Sequence, residues 1–184
     1  MHRQEVIGAV LELTSASDII VSNIADATFE LYKLGDRPRN FYMLGSFGLA
    51  PSIALGLALA RKERVVAING DGALLYSLGC LSTEGRYAPG HLVHVVVDNG
   101  SHGATGYQPT ATSVRTDVAA VAAGCGLEST TVHDLAAFRT TFEAALGAPH
   151  PAVVVAKVGE MPPEPAPLPP LSGEEIRERF MAAL

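Results

Sequence analysis

The sequence contains no tryptophan, two cysteines and few aromatic residues, which make up 6% of its 184 residues. Cys80 and Cys125 are too few for a disulfide framework or a thiolate metal centre, and they suit a reducing cytoplasm. Basic residues are also scarce, 13 against 19 acidic ones, which gives a net charge of −6. A nucleic-acid partner is therefore not expected.

Long hydrophobic runs are missing as well. The most apolar window, residues 47–60, is too short to span a bilayer and contains proline and serine. Residues 1–6 carry an acid early and begin no extended apolar stretch, so we expect neither a secretory signal nor a membrane segment. A hydrophobic fraction of 48% with 17% charged residues excludes a disordered chain and suits one packed domain.

Short β-branched runs alternate with helical patterns along the chain. Strands are predicted over residues 18–22, 40–44, 64–69, 91–97, 128–131 and 152–158. Helices are predicted over residues 5–14, 27–33, 51–62, 73–86, 117–125 and 134–146. This alternation predicts an α/β fold, a doubly wound parallel sheet with helices on both faces. Ligands bind such sheets beyond the carboxyl ends of the strands.

The composition changes near the end of the chain, and we divide it into a domain over residues 1–160 and a segment over 161–184. Residues 161–170 contain six prolines and predict an extended arm. Residues 172–184 predict a helix, because Ser172 and Glu175 have the spacing of a capping box. Packing on a neighbouring subunit and packing on the same chain both remain open for this segment.

Gly70, Asp71 and Gly72 follow a predicted buried strand and open a predicted helix, where backbone N–H groups favour an anion. A carboxylate at that turn would repel a diphosphate unless a divalent cation lay between them. This points to Mg²⁺, which prefers oxygen ligands and often shares them with phosphates. The alternative is that Asp71 only caps the helix.

The next predicted strand ends in Asp98 and Asn99, followed by Gly100 and Ser101. One helix and one strand separate this end from Asp71, so the two strand ends should be neighbours. The Asn99 side-chain carbonyl and a backbone carbonyl of the loop could then join Asp71 on a cation. The alternative is a surface turn, since Asp-Asn-Gly is also a common turn sequence.

This pattern resembles the binding motif of thiamine diphosphate enzymes. The motif consists of Gly-Asp-Gly, a spacer of about one helix and one strand, and the Asn that ends that strand. The resemblance implies that Asp71, Asn99 and the backbone carbonyl of Ser101 bind Mg²⁺. It implies a wider set of cofactor-binding residues on these two segments, namely Gly70, Asp71, Gly72, Ala73, Asn99, Ser101 and His102. The usual Asn-Asn ending is Asp98-Asn99 here, which adds a carboxylate without an assigned role.

A second segment is similar to the same family. Gly45, Ser46, Phe47 and Gly48 match its Gly-Ser-bulky-Gly segment. The resemblance implies that the Gly45 carbonyl accepts the cofactor's exocyclic amine and that Phe47 wedges between its two rings, with Ser46 in the same binding segment. The alternative is an ordinary loop before a helix.

Residues 99–110 resemble the corresponding loop of phosphonopyruvate and sulfopyruvate decarboxylases, with Asn-Gly, a His, a Thr-Gly pair and Gln-Pro-Thr in that order. This resemblance places His102 and Gln108 near the substrate as catalytic residues. A solvated loop histidine is the alternative for His102. Asp26, in a loop expected to approach the diphosphate, is an awkward neighbour for phosphate.

The resemblance covers residues 15–160 and about half of a complete enzyme, because the family binds its cofactor between a diphosphate-binding and a pyrimidine-binding domain. The second domain supplies a Glu, whereas Glu5, Glu12 and Glu30 lie on predicted helices here. We therefore expect a β-type subunit in a hetero-oligomer, inactive until a separate α-type chain donates that Glu.

The implied reaction is the conversion of a small anionic 2-oxo acid, of the 3-sulfopyruvate or 3-phosphonopyruvate type, to an aldehyde and CO₂. Two alternatives remain open. One is another thiamine diphosphate reaction, such as carboligation, and the other is a non-catalytic nucleotide-binding module.

Overall fold

The computed structural model describes residues 1–159 and 167–184. Its helices are α1 (Arg3–Leu13), α2 (Asp26–Gly35), α3 (Ala50–Ala60), α4 (Asp71–Tyr76), α5 (Cys80–Tyr87), α6 (Val118–Gly124), α7 (Leu135–Gly147) and α8 (Gly173–Ala183). Its strands are β1 (Ile19–Ser22), β2 (Asn40–Tyr42), β3 (Val65–Gly70), β4 (Leu92–Asp98), β5 (Ser101–His102), β6 (Gln108–Pro109), β7 (Glu128–Val132) and β8 (Ala152–Lys157). No helix of this described part is long and apolar enough to cross a bilayer.

Six parallel strands form the central sheet in the order β2-β1-β3-β4-β8-β7. All seven residues of β4 are buried. In β3 and β8, which are rich in Val, Ile and Ala, every residue but the last is buried. Strands buried on both faces are typical of a sheet covered by helices on each side. The predicted doubly wound α/β fold is confirmed.

Alternate side chains of each strand pack into different helix layers. Ile20 of β1 packs with Val6 of α1 and Leu31 of α2, on the face that α7 also covers. Its neighbour Val21 points to the other face and packs with Ala54 of α3. Helices α4, α5 and α6 complete that second layer beside β4 and β8.

One predicted helix is divided in the structure. The pattern over residues 73–86 predicts a single helix, but α4 ends at Tyr76 and α5 begins at Cys80. The hydroxyl of Ser77 donates to the Gly48 carbonyl at 2.6 Å, so a tertiary contact holds the chain where the helix stops. The prediction was wrong because helical periodicity carries no information about such a contact.

The C-terminal helix packs on its own chain. The predicted capping box is present, with the Ser172 hydroxyl accepting from the Glu175 N–H at 3.2 Å. Helix α8 covers edge strand β2, where the rings of Phe180 and Phe41 lie 5.1 Å apart. Residues 161–166 of the predicted arm, together with residue 160, lie outside the described residues.

Candidate functional site

The pairing of β3 with β4 brings the two predicted strand ends together. The strands run parallel in register, with Gly70 opposite Val97. Asp71 follows β3 directly, and Asn99 follows the last residue of β4. The prediction that these ends are neighbours is confirmed.

A cleft opens beyond the carboxyl ends of β1, β3 and β4. Most of the predicted cofactor-binding residues line it, namely Phe47, Gly70, Asp71, Gly72, Ala73, Asn99, Ser101 and His102. The segment after β1, residues 23–27, forms the opposite wall, together with Arg3 of α1. The loop that resembles the decarboxylases therefore faces the loop that follows β1.

Three predicted site residues do not line this cleft. Gly45 and Ser46 are exposed, and Ser46 adopts a left-handed backbone with φ of 62°. Gln108 is exposed too, because its amide turns back to Thr105, donating to the carbonyl and accepting from the hydroxyl, each at 2.9 Å. The site roles of Gly45, Ser46 and Gln108 therefore stay predictions.

Asp71 is 1% exposed, and two threonine hydroxyls bind the same oxygen of its carboxylate. Thr110 Oγ1 donates to Asp71 Oδ2, and Thr112 Oγ1 lies 3.0 Å from it. Burial raises the pKa of the Asp71 carboxyl, and the nearby Asp98 carboxylate raises it further, against the lowering effect of the two hydroxyls. A cation beside Asp71 would offset this unfavourable burial of charge.

The structure shows what Asp98 contacts. Its carboxylate is buried, with Oδ2 2.5 Å from the Lys157 ammonium. Oδ1 accepts from the Gly100 N–H at 3.0 Å and lies 2.9 Å from Thr112 Oγ1. Asp98 therefore links the end of β8 to the loop that carries Asn99.

The turn that carries Phe47 is held against α4 by Gly48. The Gly48 N–H donates to Asn23 Oδ1 at 3.3 Å, and its carbonyl accepts from Ser77. Its φ is +85°, and a Cβ there would lie 2.8 Å from the Ala73 carbonyl oxygen. Only glycine fits both the backbone and the space.

His102 packs directly on Gly72. A Cβ at position 72 would lie 2.4 Å from His102 Nδ1, so the absence of a side chain makes room for the imidazole. Both residues line the cleft. His102 is partly buried as a residue, and its role near the substrate stays a prediction.

Arg3 was not singled out by the sequence, because a lone arginine at the start of α1 belongs to no motif. Its guanidinium binds the buried Glu30 carboxylate through two hydrogen bonds of 2.9 and 2.8 Å. A third bond, at 2.9 Å, reaches Asp26 Oδ2. The Asp26 carboxylate, which would repel a phosphate, is thus paired with Arg3.

The residues of the cleft fit a magnesium-bound diphosphate. Asp71, Asn99 and a backbone carbonyl offer the hard oxygen ligands that Mg²⁺ prefers. The described residues contain no group of three or more His, Cys, Asp or Glu side chains that could hold a metal. Asn69 Nδ2 and Ser101 Oγ are buried without a hydrogen-bond partner among the described residues, and both residues line the cleft. Unsatisfied polar atoms are costly, which indicates a polar ligand.

A family model described as "Thiamine pyrophosphate enzyme, C-terminal TPP binding domain" matches residues 23–156. Two curated relatives are named sulfopyruvate decarboxylase subunit beta. The one from Methanocaldococcus jannaschii is 44% identical over 84% of this chain and 82% of its own length. The one from Methanococcus maripaludis is 40% identical over 100% of this chain and 98% of its own length.

Phosphonopyruvate decarboxylase of Streptomyces viridochromogenes is 49% identical over 58% of this chain, which corresponds to 27% of the relative. Among solved structures, the thiamine diphosphate-dependent 4-hydroxybenzoylformate decarboxylase of Rhodococcus jostii RHA1 is similar with a TM-score of 0.77 and 22% identity, over 88% of this chain. Benzoylformate decarboxylase from Polynucleobacter necessarius has a TM-score of 0.75 and 21% identity, over 89%.

The chain spans about a third of these two solved chains, 33% and 34%, and at such identities the likeness shows the fold. The family match covers most of the sequence, and the curated beta subunits align with nearly all of it. The chain therefore belongs to the thiamine pyrophosphate enzyme family, as a TPP-binding domain homologous to the beta subunits of sulfopyruvate decarboxylase.

Proposed function

We propose that this chain is the diphosphate-binding β subunit of a two-chain decarboxylase. The enzyme would convert a small anionic 2-oxo acid of the 3-sulfopyruvate type to an aldehyde and CO₂. The observation that carries the proposal is the 40% identity with a sulfopyruvate decarboxylase beta subunit over 100% of this chain and 98% of the relative. The two unpaired cysteines suit the reducing cytoplasm, which is the compartment we propose.

Mg²⁺ would be held by the Asp71 carboxylate, the Asn99 side-chain oxygen and the Ser101 carbonyl. The buried amide of Asn69 and the Ser101 hydroxyl have hydrogen bonds to give, and the diphosphate offers acceptors for them. Gly70, Gly72 and Ala73 line the cleft and would let the diphosphate approach the backbone. When bound, thiamine diphosphate supplies the electron sink for the loss of CO₂.

Other residues of the chain shape the reaction space. Phe47 and Val97 give the cleft apolar wall area, which excludes water and favours loss of a charged carboxylate. The His102 imidazole packs on Gly72, and in this proposal it would hold or move a proton near the substrate. Gly45, Ser46 and Gln108 are exposed, and they would take their proposed roles when a partner chain covers them.

The glutamate that the family requires is proposed to come from an α-type subunit. In this chain Glu5 and Glu12 lie on α1, and the Glu30 carboxylate is occupied by Arg3. The same pairing bears on substrate binding, because Arg3 is the one Lys or Arg among the described residues of the cleft wall. Cations for a doubly anionic substrate would therefore come from Mg²⁺ and the partner.

A second substrate, 3-phosphonopyruvate, is favoured by one observation. The relative named phosphonopyruvate decarboxylase is 49% identical over 107 residues, higher than the 44% of a beta subunit over 155 residues. The full-length match to separate beta subunits still favours the sulfopyruvate type. The rates of CO₂ release from the two acids, measured with the assembled enzyme, distinguish the two substrates.

The proposal predicts that Asp71→Ala abolishes Mg²⁺-dependent binding of thiamine diphosphate while the fold is retained. Asp71 would provide the only carboxylate on the cation, so its loss removes the bridge to the diphosphate. Calorimetric titration of the chain, alone and with its partner subunit, measures this binding.

Asp134→Ala is the matched control. Asp134 caps α7 through the Ala137 N–H at 2.8 Å and lies outside the cleft lining, so binding should be unchanged. Equal binding by wild type and Asp71→Ala would contradict the metal assignment. Binding of flavin mononucleotide in place of thiamine diphosphate would favour a nucleotide-binding module instead.

A further inference from the structure

Lys157 belongs to none of the motifs in the sequence, yet it contacts Asp98, the residue before the proposed ligand Asn99. It ends β8, next to β4 in the sheet, and pairs with Asp98 in register. Its ammonium is 2.5 Å from Asp98 Oδ2, and the Lys157 side chain is 34% exposed against 1% for Asp98. Within this ion pair Asp98, the residue before Asn99, is therefore the buried member.

The contact continues from Asp98 to Asp71. Thr112 Oγ1 lies 2.9 Å from Asp98 Oδ1 and 3.0 Å from Asp71 Oδ2. Thr112 Oγ1 also lies 2.8 Å from Thr110 Oγ1. A hydroxyl has one proton to donate, so the two carboxylates and the Thr110 oxygen compete for it. The charge of Lys157 satisfies Asp98, and this leaves the Thr112 proton available to Asp71.

The charges around the two carboxylates favour this division. Two buried carboxylates share one hydroxyl, and Lys157 is the cation that contacts either of them among the described residues. A buried carboxylate without a partner is strongly unfavourable and moves toward water or toward any cation nearby. Without Lys157, Asp98 would leave Gly100 and Thr112 and compete with Asp71 for the metal.

We propose that Lys157, acting through Asp98 and Thr112, is a positioning residue of the magnesium site. It fixes Asp98 as an internal anchor of the loop and keeps Asp71 as the carboxylate that binds the cation. This inference rests on the proposed function, because it assumes that Mg²⁺ binds at Asp71. It also gives the Asp98-Asn99 strand ending a role, since Asp98 there requires a cation from β8.

The test is a double-mutant cycle on the full chain, in whichever state wild type binds thiamine diphosphate, alone or with its partner. Lys157→Met and Asp98→Asn should each raise the Mg²⁺ concentration for half-maximal binding by roughly tenfold or more, as supporting residues of metal ligands do. The double variant carries neither charge of the ion pair, so its Mg²⁺ requirement should return most of the way to the wild-type value. Lys157→Arg keeps the charge and should stay near wild type.

Two readouts separate positioning from a general loss of stability. A positioning role raises the Mg²⁺ requirement while thiamine diphosphate affinity at saturating Mg²⁺ changes little. A structural role lowers the unfolding temperature, leaves the Mg²⁺ requirement unchanged and gives no recovery in the double variant. Two results would overturn the role of Lys157. One is a Lys157→Met variant with the same Mg²⁺ requirement as wild type. The other is a double variant whose Mg²⁺ requirement equals the two single effects combined.

The proposed function is tested separately by Asp71→Ala. If Asp71→Ala loses binding and Lys157→Met does not, only the role of Lys157 fails. If wild type shows no Mg²⁺-dependent binding in any state, the proposed function fails and the role of Lys157 fails with it.

Discussion

At the scale of single residues, the site depends on carboxylates that the fold buries at a cost. Asp71 is 1% exposed and Asp98 2% exposed, and each relies on neighbours in other segments. Lys157 pairs with Asp98, whereas no Lys or Arg side chain among the described residues pairs with Asp71, which is contacted by two threonine hydroxyls and a backbone N–H. The free chain is therefore electrostatically unfavourable at Asp71, as expected of a position that binds a cation.

The raised pKa of Asp71 predicts how stability depends on pH. The folded state holds the proton more tightly than the unfolded state, so stability falls as pH rises from the unfolded pKa through the folded one. Asp71→Asn cannot ionise and should escape this loss. Without metal or cofactor, Asp71→Asn should be more stable than wild type, by a margin that grows between about pH 4 and neutrality.

Chemical denaturation with a chelator present, repeated across pH, measures that margin. Adding Mg²⁺ with thiamine diphosphate should stabilise wild type and leave Asp71→Asn unchanged. A margin independent of pH would show that burial of the Asp71 charge does not govern stability.

At the scale of elements, the strands could be predicted better than the connections between them. The neighbouring ends of β3 and β4 followed from consecutive β-branched runs joined by one helical stretch, and the structure confirms them. The break between α4 and α5 could not be predicted, because the Ser77 contact with Gly48 joins segments far apart in sequence.

The site divides in the same way. Asp71, Asn99 and Phe47 stand in local motifs, and the structure places all three on the cleft. Lys157 and Arg3 come from β8 and α1, so no spacing near a motif could have indicated them. Thr110 stood inside the decarboxylase-like loop, but its bond to Asp71 appears only in the folded chain.

The packing of α5 on α6 predicts an effect of overpacking. A Cβ at Gly85 of α5 would lie 2.0 Å from the Cys125 carbonyl oxygen, which is backbone and cannot yield. Gly85→Ala should destabilise the protein by about 1–3 kcal/mol despite the better helix propensity of alanine. Urea unfolding followed by circular dichroism measures the change.

Gly8→Ala is the control for that substitution. Gly8 lies inside α1, and a Cβ there meets nothing within 4 Å. Alanine should stabilise this helix by up to about 1 kcal/mol. Similar effects of the two substitutions would mean that α5 and α6 do not pack as described.

At the scale of the whole molecule, the two ends of the chain serve different purposes. Helix α1 brings Arg3 to the cleft, where it pairs Glu30 and Asp26. Helix α8 covers the β2 edge, and Arg179 binds Asp36 through hydrogen bonds of 2.7 and 2.8 Å. One edge of the sheet is thus covered by the chain itself, while the cleft lies at the strand tips, where we propose that the cofactor and a partner subunit bind.

The proposed site requires a divalent cation that joins the tips of β3 and β4 to a diphosphate. The most direct measurement is anomalous diffraction from crystals of the chain with its partner subunit, Mn²⁺ in place of Mg²⁺, and thiamine diphosphate. We expect one anomalous peak at coordination distance from the Asp71 carboxylate, the Asn99 side-chain oxygen and the diphosphate. Bound cofactor with no peak there, or a peak that contacts neither Asp71 nor Asn99, would contradict it.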